Sequence, residues 1–196
     1  WDKDQQVSPY SEPATFDTGF FTNEDWNGAK WIKRPSEENE TFTYFRKKDN
    51  LKNKTVKRAI VYLVSCHSYH LYINGTSVGK GFFHHYPQYS YYHAVDITPH
   101  IQKSQTITFA LMTHWYGGGQ GRAAGSQGLL LKSIIEYEDG STQIIATDDT
   151  WVQQKAEQWI TGTPRRNGEG IGFIEKTDSR KKIDGWQQPQ LNDQQW

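Results

Sequence analysis

Thr106-Ile107-Thr108-Phe109-Ala110-Leu111 alternates polar and apolar side chains with period two. Successive side chains of an extended chain point to opposite faces, so this stretch predicts a strand with one face in a core and the other in solvent. Comparable runs lie on both sides of it, at residues 41–46, 54–66, 69–74, 90–97, 129–138 and 142–147, rich in the β-branched and aromatic residues that suit a pleated surface. Asn74-Gly75 and Asp139-Gly140 are the strongest hairpin signals, because both pairs supply the positive φ values of tight hairpin turns. No window of about 12 residues keeps a helical apolar period between good caps, apart from a turn near 97–101. Many short strands separated by turn signals predict an all-β protein, an antiparallel β-sandwich of jelly-roll type.

The flanks are polar. Residues 1–19, with Ser8-Pro9 and Glu12-Pro13, read as a lead-in outside the core, and residues 25–32 as a turn followed by a short strand. Residues 162–172, rich in Gly and basic residues, read as an exposed loop, 171–174 as a closing strand, and 184–196 as a polar tail. The chain opens at Trp1 without an initiator methionine and stops at Trp196 inside a recognisable pattern, so it is expected to be a piece of a longer protein.

Lysine and arginine number 22, as do aspartate and glutamate, so no global field attracts nucleic acid or an anionic membrane. No run approaches the roughly 18 apolar residues of a membrane-spanning helix. The only cysteine, Cys66, rules out a disulfide within the chain, and its apolar run from Ile60 predicts a buried thiol. Neither nucleic acid nor membrane is expected as a partner.

Residues 119–124 fit G-x-G-x-x-A, but a dinucleotide-binding turn needs a helix next, and the following sequence reads as a strand. A rim loop with Arg122 available to a ligand is the better reading. His67 with His70, and His84 with His85, have spacings that send strand side chains to opposite faces, so neither pair is a ready zinc site. Calcium takes loop carboxylates and carbonyls, for which Asp17, Asp25, Asn27 and Asp96 are candidates beside their ordinary turn roles. No G-x-S-x-G elbow and no marked pair of opposed carboxylates suggests hydrolytic chemistry.

The most suggestive cluster is aromatic: residues 82–93, with Phe82, His84, His85, Tyr86, Tyr89 and Tyr91, together with His114-Trp115-Tyr116. Ring faces stack on the C–H faces of sugars while Tyr, His, Gln and Arg hydrogen-bond to hydroxyls. A carbohydrate-binding surface is one reading; core packing and docking on a neighbouring domain is the other.

The order of landmarks resembles a known family. Asp25-Trp26-Asn27-Gly28-Ala29-Lys30-Trp31-Ile32, Tyr44-Phe45-Arg46-Lys47, Ala59-Ile60-Val61-Tyr62 and the run from Tyr69 through Asn74-Gly75 to Gly79 are similar to the N-terminal non-catalytic β-domain of bacterial α-L-rhamnosidases of glycoside hydrolase family 78. Tyr92-His93-Ala94-Val95-Asp96-Ile97-Thr98 resembles the family's Y-x-x-x-D-V-T segment, and His114-Trp115-Tyr116-Gly117-Gly118 its G-W-Y-x-G. Tyr137-Glu138-Asp139-Gly140 and Thr147-Asp148-Asp149-Thr150-Trp151 match Y-x-D-G and T-D-x-S-W; Asp178-Ser179-Arg180, Gly185-Trp186 and Asn192-Asp193-Gln194-Gln195-Trp196 match the border. The resemblance covers residues 20–196, with 1–19 similar to the end of a preceding fibronectin-like domain. Two departures are Met112-Thr113-His114 before Trp115-Tyr116, where the family has G-x-G, and Ile174-Glu175-Lys176-Thr177, where it has G-E.

The resemblance implies a jelly-roll accessory domain, without catalytic residues of its own, attached to an (α/α)6 barrel in the same parent chain. Some related modules bind L-rhamnose with calcium, making calcium the candidate cofactor and rhamnosyl glycans the candidate partner. Trp115, Tyr116 and Arg122 are the first choices for sugar contact, with His84, His85, Tyr86 and Tyr89 next; Trp26, Trp31 and Trp151 are assigned to packing. The alternatives are a purely structural scaffold and a self-contained glycosidase.

Overall fold

Apolar runs fold as strands stacked face to face in a computed structural model of the chain, which describes residues 3–12, 14, 16, 18–35, 40–83, 89–117, 125–164, 173–194 and 196. Among these, the strands are β1 (Thr41–Asn50), β2 (Val56–Cys66), β3 (Ser68–Ile73), β4 (Thr76–Phe82), β5 (His93–Asp96), β6 (Thr106–Trp115), β7 (Gly128–Tyr137), β8 (Thr142–Ala146) and β9 (Val152–Lys155). The order β4-β3-β6-β1-β9 makes one sheet and β5-β2-β7-β8 the other, with every pairing antiparallel. The chain crosses between sheets from β1 to β2, β2 to β3, β4 to β5, β5 to β6, β6 to β7 and β8 to β9, the winding of the expected jelly-roll sandwich. The expected turn at 97–101 is a single helical turn, α1 (Thr98–Ile101).

Phe45, Leu71, Ile73, Phe109 and Leu111 from one sheet meet Val61, Leu63, Leu131 and Ile135 from the other, all buried. Asn74-Gly75 turns β3 into β4 with φ of 49° and 85°, and Gly140 turns β7 into β8 at 80°. The Asn74 side chain also accepts from the Thr108 amide at 2.8 Å, tying the hairpin to β6. Cys66 is buried, and burial pushes its thiol up to about 12, the inert state its apolar run predicts.

The second face of β6, expected in solvent, is covered: Thr108 and Ala110 are buried. The cover is the C-terminal segment. Trp186 stacks on Tyr44 at 4.1 Å and meets Tyr72 edge-on at 5.3 Å, with Ile183, Leu191 and Trp196 packed beside them. Arg46 of β1, 0% exposed, holds this segment by donating to Asp193 at 2.8 Å, to the Gln188 carbonyl at 3.2 Å and to the Trp186 carbonyl.

The other sheet is covered from the N-terminal side. Phe20 stacks on Tyr62 at 4.1 Å and meets Trp26 edge-on at 5.0 Å, and Ile32 bridges to Leu129. Lys132 of β7, only 6% exposed, donates to the carbonyls of Asp25 at 2.7 Å and Asn27 at 2.9 Å, which satisfies its charge beneath that cover. The described residues before Phe20 pack little: Val7, Tyr10 and Phe16 are exposed. Trp151 is buried as expected and Trp26 half-buried, whereas Trp31 is 54% exposed, with one edge against Gly128.

Candidate functional site

Strand register gathers several chain ends at one end of the sandwich. β1 starts at Thr41 opposite Trp115, the last residue of β6; Ser68 at the start of β3 faces both His114 and Phe82; and Cys66, ending β2, faces Gly128, which begins β7. Tyr89 and Tyr91 approach the same end, since they precede His93, the β5 residue paired with Leu63.

A chain of rings occupies this end. Tyr116 stacks on His67 at 5.1 Å and Phe82 at 5.6 Å, meets His114 edge-on at 4.4 Å and leans on Phe173 at 5.7 Å. His114 stacks on Phe42 at 3.6 Å, and Phe42 on Trp159 at 5.2 Å. The Tyr116 amide donates to His67 Nδ1 at 3.1 Å, fixing both rings. Only the half-exposed members offer a face to a ligand.

Beneath the rings, His114 Nε2 lies 2.9 Å from Glu40 Oε1, both side chains 9% exposed, and Glu40 Oε2 accepts from the Gly162 amide at 2.7 Å. Burial lowers the His114 pKa from its ordinary 6.5, outweighing the pull of Glu40, so the ring is neutral and donates Nε2–H to the carboxylate. A histidine depressed in the fold stabilises it fully above the unfolded value near 6.5 and loses that contribution as pH falls toward the lower folded value. His70 and His93, also lowered by burial, add in the same direction. Urea unfolding is therefore expected to give constant stability between about pH 7 and 8 and declining stability toward pH 5, and His114→Gln is expected to flatten part of that decline. An unchanged slope in the variant would rule out this role of His114.

Trp115 and Tyr116 sit together but face apart. By the alternation of β6, Trp115 follows Leu111 and Thr113 on the sandwich side, while Tyr116 shares the outer side with His114; both are half-buried. Tyr89 is 54% exposed and meets Tyr91, 57% exposed, edge-on at 5.6 Å. His84, His85, Tyr86 and Arg122 lie outside the described residues, as do residues 119–124, though β7 is the strand expected after them. Of the expected closing strand at 171–174, Phe173 and Ile174 are described, with Phe173 in a single-residue bridge. Sequence reasoning did not single out Glu40, Phe42, Trp159 or Phe173 for this end.

His67 and His70 serve neighbours rather than a metal: His67 stacks on Tyr116, and His70 Nε2 pairs with Ser77 Oγ at 2.8 Å. Among the described residues no three His, Cys, Asp or Glu side chains converge for a metal ion. Among the described residues, the calcium candidates Asp25, Asn27 and Asp96 do not form a shared cage. Asp25 Oδ2 accepts from the Phe21 and Thr22 amides, Asp96 Oδ1 from the Thr98 amide, and the Lys132 ammonium stands on the Asp25 and Asn27 carbonyls. Asp17 lies outside the described residues.

Two shallow clefts of about 380 and 220 Å3 each have one lining carboxylate, Asp49 and Glu157 respectively, whereas glycoside hydrolysis by a protein carboxylate pair needs two flanking the bond. Two covered sheets and a ring-lined end define a β-sandwich module.

The sequence profile described as the α-L-rhamnosidase N-terminal domain matches residues 54–196, and the chain belongs to that family. An α-L-rhamnosidase of Formosa agariphila is 25% identical across 100% of this chain, which covers 24% of that protein. The solved α-L-rhamnosidase of Dictyoglumus thermophilum superposes with a TM-score of 0.76 at 26% identity, over 100% of this chain and 23% of its own. The GH78 rhamnosidase of Bacillus sp. GL1 does so at 0.72 and 25%, over 86% and 18%. The chain thus spans about a quarter of the length of the curated relatives it matches and corresponds to their accessory domain.

Proposed function

We propose that this domain recognises rhamnosyl glycans at its ring-lined end and serves a parent α-L-rhamnosidase whose catalytic barrel lies elsewhere in the full-length chain. Residues 1–19 belong, in this reading, to a preceding fibronectin-like domain, with the boundary where Phe20 begins to pack on Tyr62. The observation that carries the binding role is the gathering of half-exposed Trp115 and Tyr116 with the exposed Tyr89–Tyr91 pair at one end, where packed rings and the Tyr116 amide bond hold Tyr116 in place. Rings fixed before binding lose little entropy on contact with sugar.

Calorimetric titration with L-rhamnose, with and without calcium, is the test. Saturable heat is expected, and Trp115→Ala is expected to weaken binding roughly 2- to 12-fold, the value of one aromatic contact. Unchanged affinity in a folded variant would remove Trp115 from the site. Silence of the unmodified chain with and without calcium would favour the scaffold reading, in which these rings dock on the barrel.

A further inference from the structure

Three side chains at the β3 and β4 edge of the five-stranded sheet stand in hydrogen-bonding sequence, and we propose that they form an acyl-transfer site with Ser77 as nucleophile, His70 as its general base and Tyr72 as the residue that orients the base. His70 Nε2 lies 2.8 Å from Ser77 Oγ, and His70 Nδ1 lies 3.0 Å from Tyr72 Oη. A hydroxyl within reach of an imidazole that a third group holds in turn is the arrangement that activates a weak nucleophile. A bulge builds it here. His70 pairs with Lys80 and Leu71 with Gly79, but the register then slips, so that Tyr72 faces Ser77 instead of Val78. The extra residue, Val78, packs against the core, and Ser77 is left exposed. His70 and Tyr72, two apart on β3, share a face, with their rings 4.2 Å apart. Trp186 of the C-terminal cover meets Tyr72 edge-on at 5.3 Å and steadies the phenol.

Burial, helped by the Lys80 ammonium, lowers the His70 pKa from its ordinary 6.5, so the ring is neutral and free to take a proton near neutral pH. Lys80, across from it on β4, and Tyr72, beside it on β3, are the titratable groups that face the ring. β6 places the uncharged Met112 opposite His70. With the His70 proton on Nδ1 and donated to Tyr72 Oη, Nε2 accepts the Ser77 proton as Oγ attacks an ester carbonyl. The bond from the acyl carbon to the alcohol oxygen breaks, and the alcohol leaves with that proton. Water then attacks the acyl-serine and gives a proton to His70, which returns it to Ser77 Oγ as the acid departs. Ester and water become acid and alcohol, with no oxidant or reductant. The exposed position of Ser77 suits a small acyl group such as acetyl on an accessible alcohol.

None of these three residues belongs to the ring-lined end, so the site stands or falls apart from the glycan reading. The full chain is treated with a fluorophosphonate, which traps an activated serine by displacing fluoride, and separately with para-nitrophenyl acetate, which reports turnover as nitrophenolate. Peptide mapping is expected to find the phosphonyl group on Ser77, and nitrophenolate release is expected to pass one equivalent per chain. Ser77→Ala should abolish the label and the release above that of free lysines, and His70→Gln should slow both about 100-fold, the lower end of what a positioned base supplies. Both rates should fall as pH drops through the lowered His70 value. Tyr72→Phe keeps the ring but removes Oη, so labelling should slow and the midpoint of its pH profile move down, because the imidazolium loses a charge-assisted bond. A merely structural role of Tyr72 would leave that midpoint in place. Labelling that spares Ser77, nitrophenolate release unchanged in Ser77→Ala, or labelling of Ser77 indifferent to the loss of His70 would each overturn the proposal.

Discussion

Arg46→Ala is expected to lower the unfolding free energy by about 3–5 kcal/mol, the cost of breaking a buried ion pair by removing one partner. Arg46 is completely buried, and its guanidinium satisfies Asp193 and the carbonyls of Trp186 and Gln188 at once. It also lies 5.7 Å from the centre of the Trp196 ring. Alanine would leave these acceptors facing a void and loosen the segment that covers Tyr44 and Ala110. Arg46→Lys should recover only part of the loss, because one ammonium cannot reproduce a planar fork reaching three acceptors. Urea unfolding measures the magnitude, and hydrogen exchange locates it: amides of residues 183–194 should lose protection well before those of β2 and β7. Uniform loss across both sheets would show that Arg46 does not act through the C-terminal cover.

Phe109→Ala should cost as much by another route. Phe109 is wholly buried between the sheets and packs on Trp151 at 5.8 Å, so truncation removes apolar contact and leaves a cavity, about 3–5 kcal/mol for a phenylalanine. Its neighbours belong to both sheets, so the loss should be cooperative, with exchange accelerating throughout the sandwich. A cost below about 1 kcal/mol, read from the urea midpoint, would mean that the core collapses to fill the space. The two variants together separate the inner core from its outer cover.

The strands that could be read in the sequence carry dense β-branched and aromatic residues, as in β2 and β6. β4 and β9 escaped for physical reasons. β4 is diluted by Gly79 and Gly81, and the latter is required: a Cβ there would stand 2.5 Å from His93 Cε1 and 2.9 Å from Tyr69 Cε1. β9 is a half-buried edge strand of Val152-Gln153-Gln154-Lys155 without an apolar face. The covers were illegible because Phe20, Trp186, Leu191 and Trp196 are irregularly spaced among polar residues, and no period marks them. At the ring-lined end, Trp115 and Tyr116 stood out by composition. Glu40 and His114, 74 positions apart, meet only because β1 pairs with β6.

Arg46 and its anchor Asp193 are separated by 147 positions, and β1 finds both sheet neighbours, β6 and β9, only far downstream. A ribosome adding about 5–20 residues per second would leave this arginine without its partner for roughly 7–30 s. During that interval Phe42 and Tyr44 face solvent or a chaperone. Emergence of residues 183–194, more than the appearance of any strand, is then the event that covers this face of the sheet.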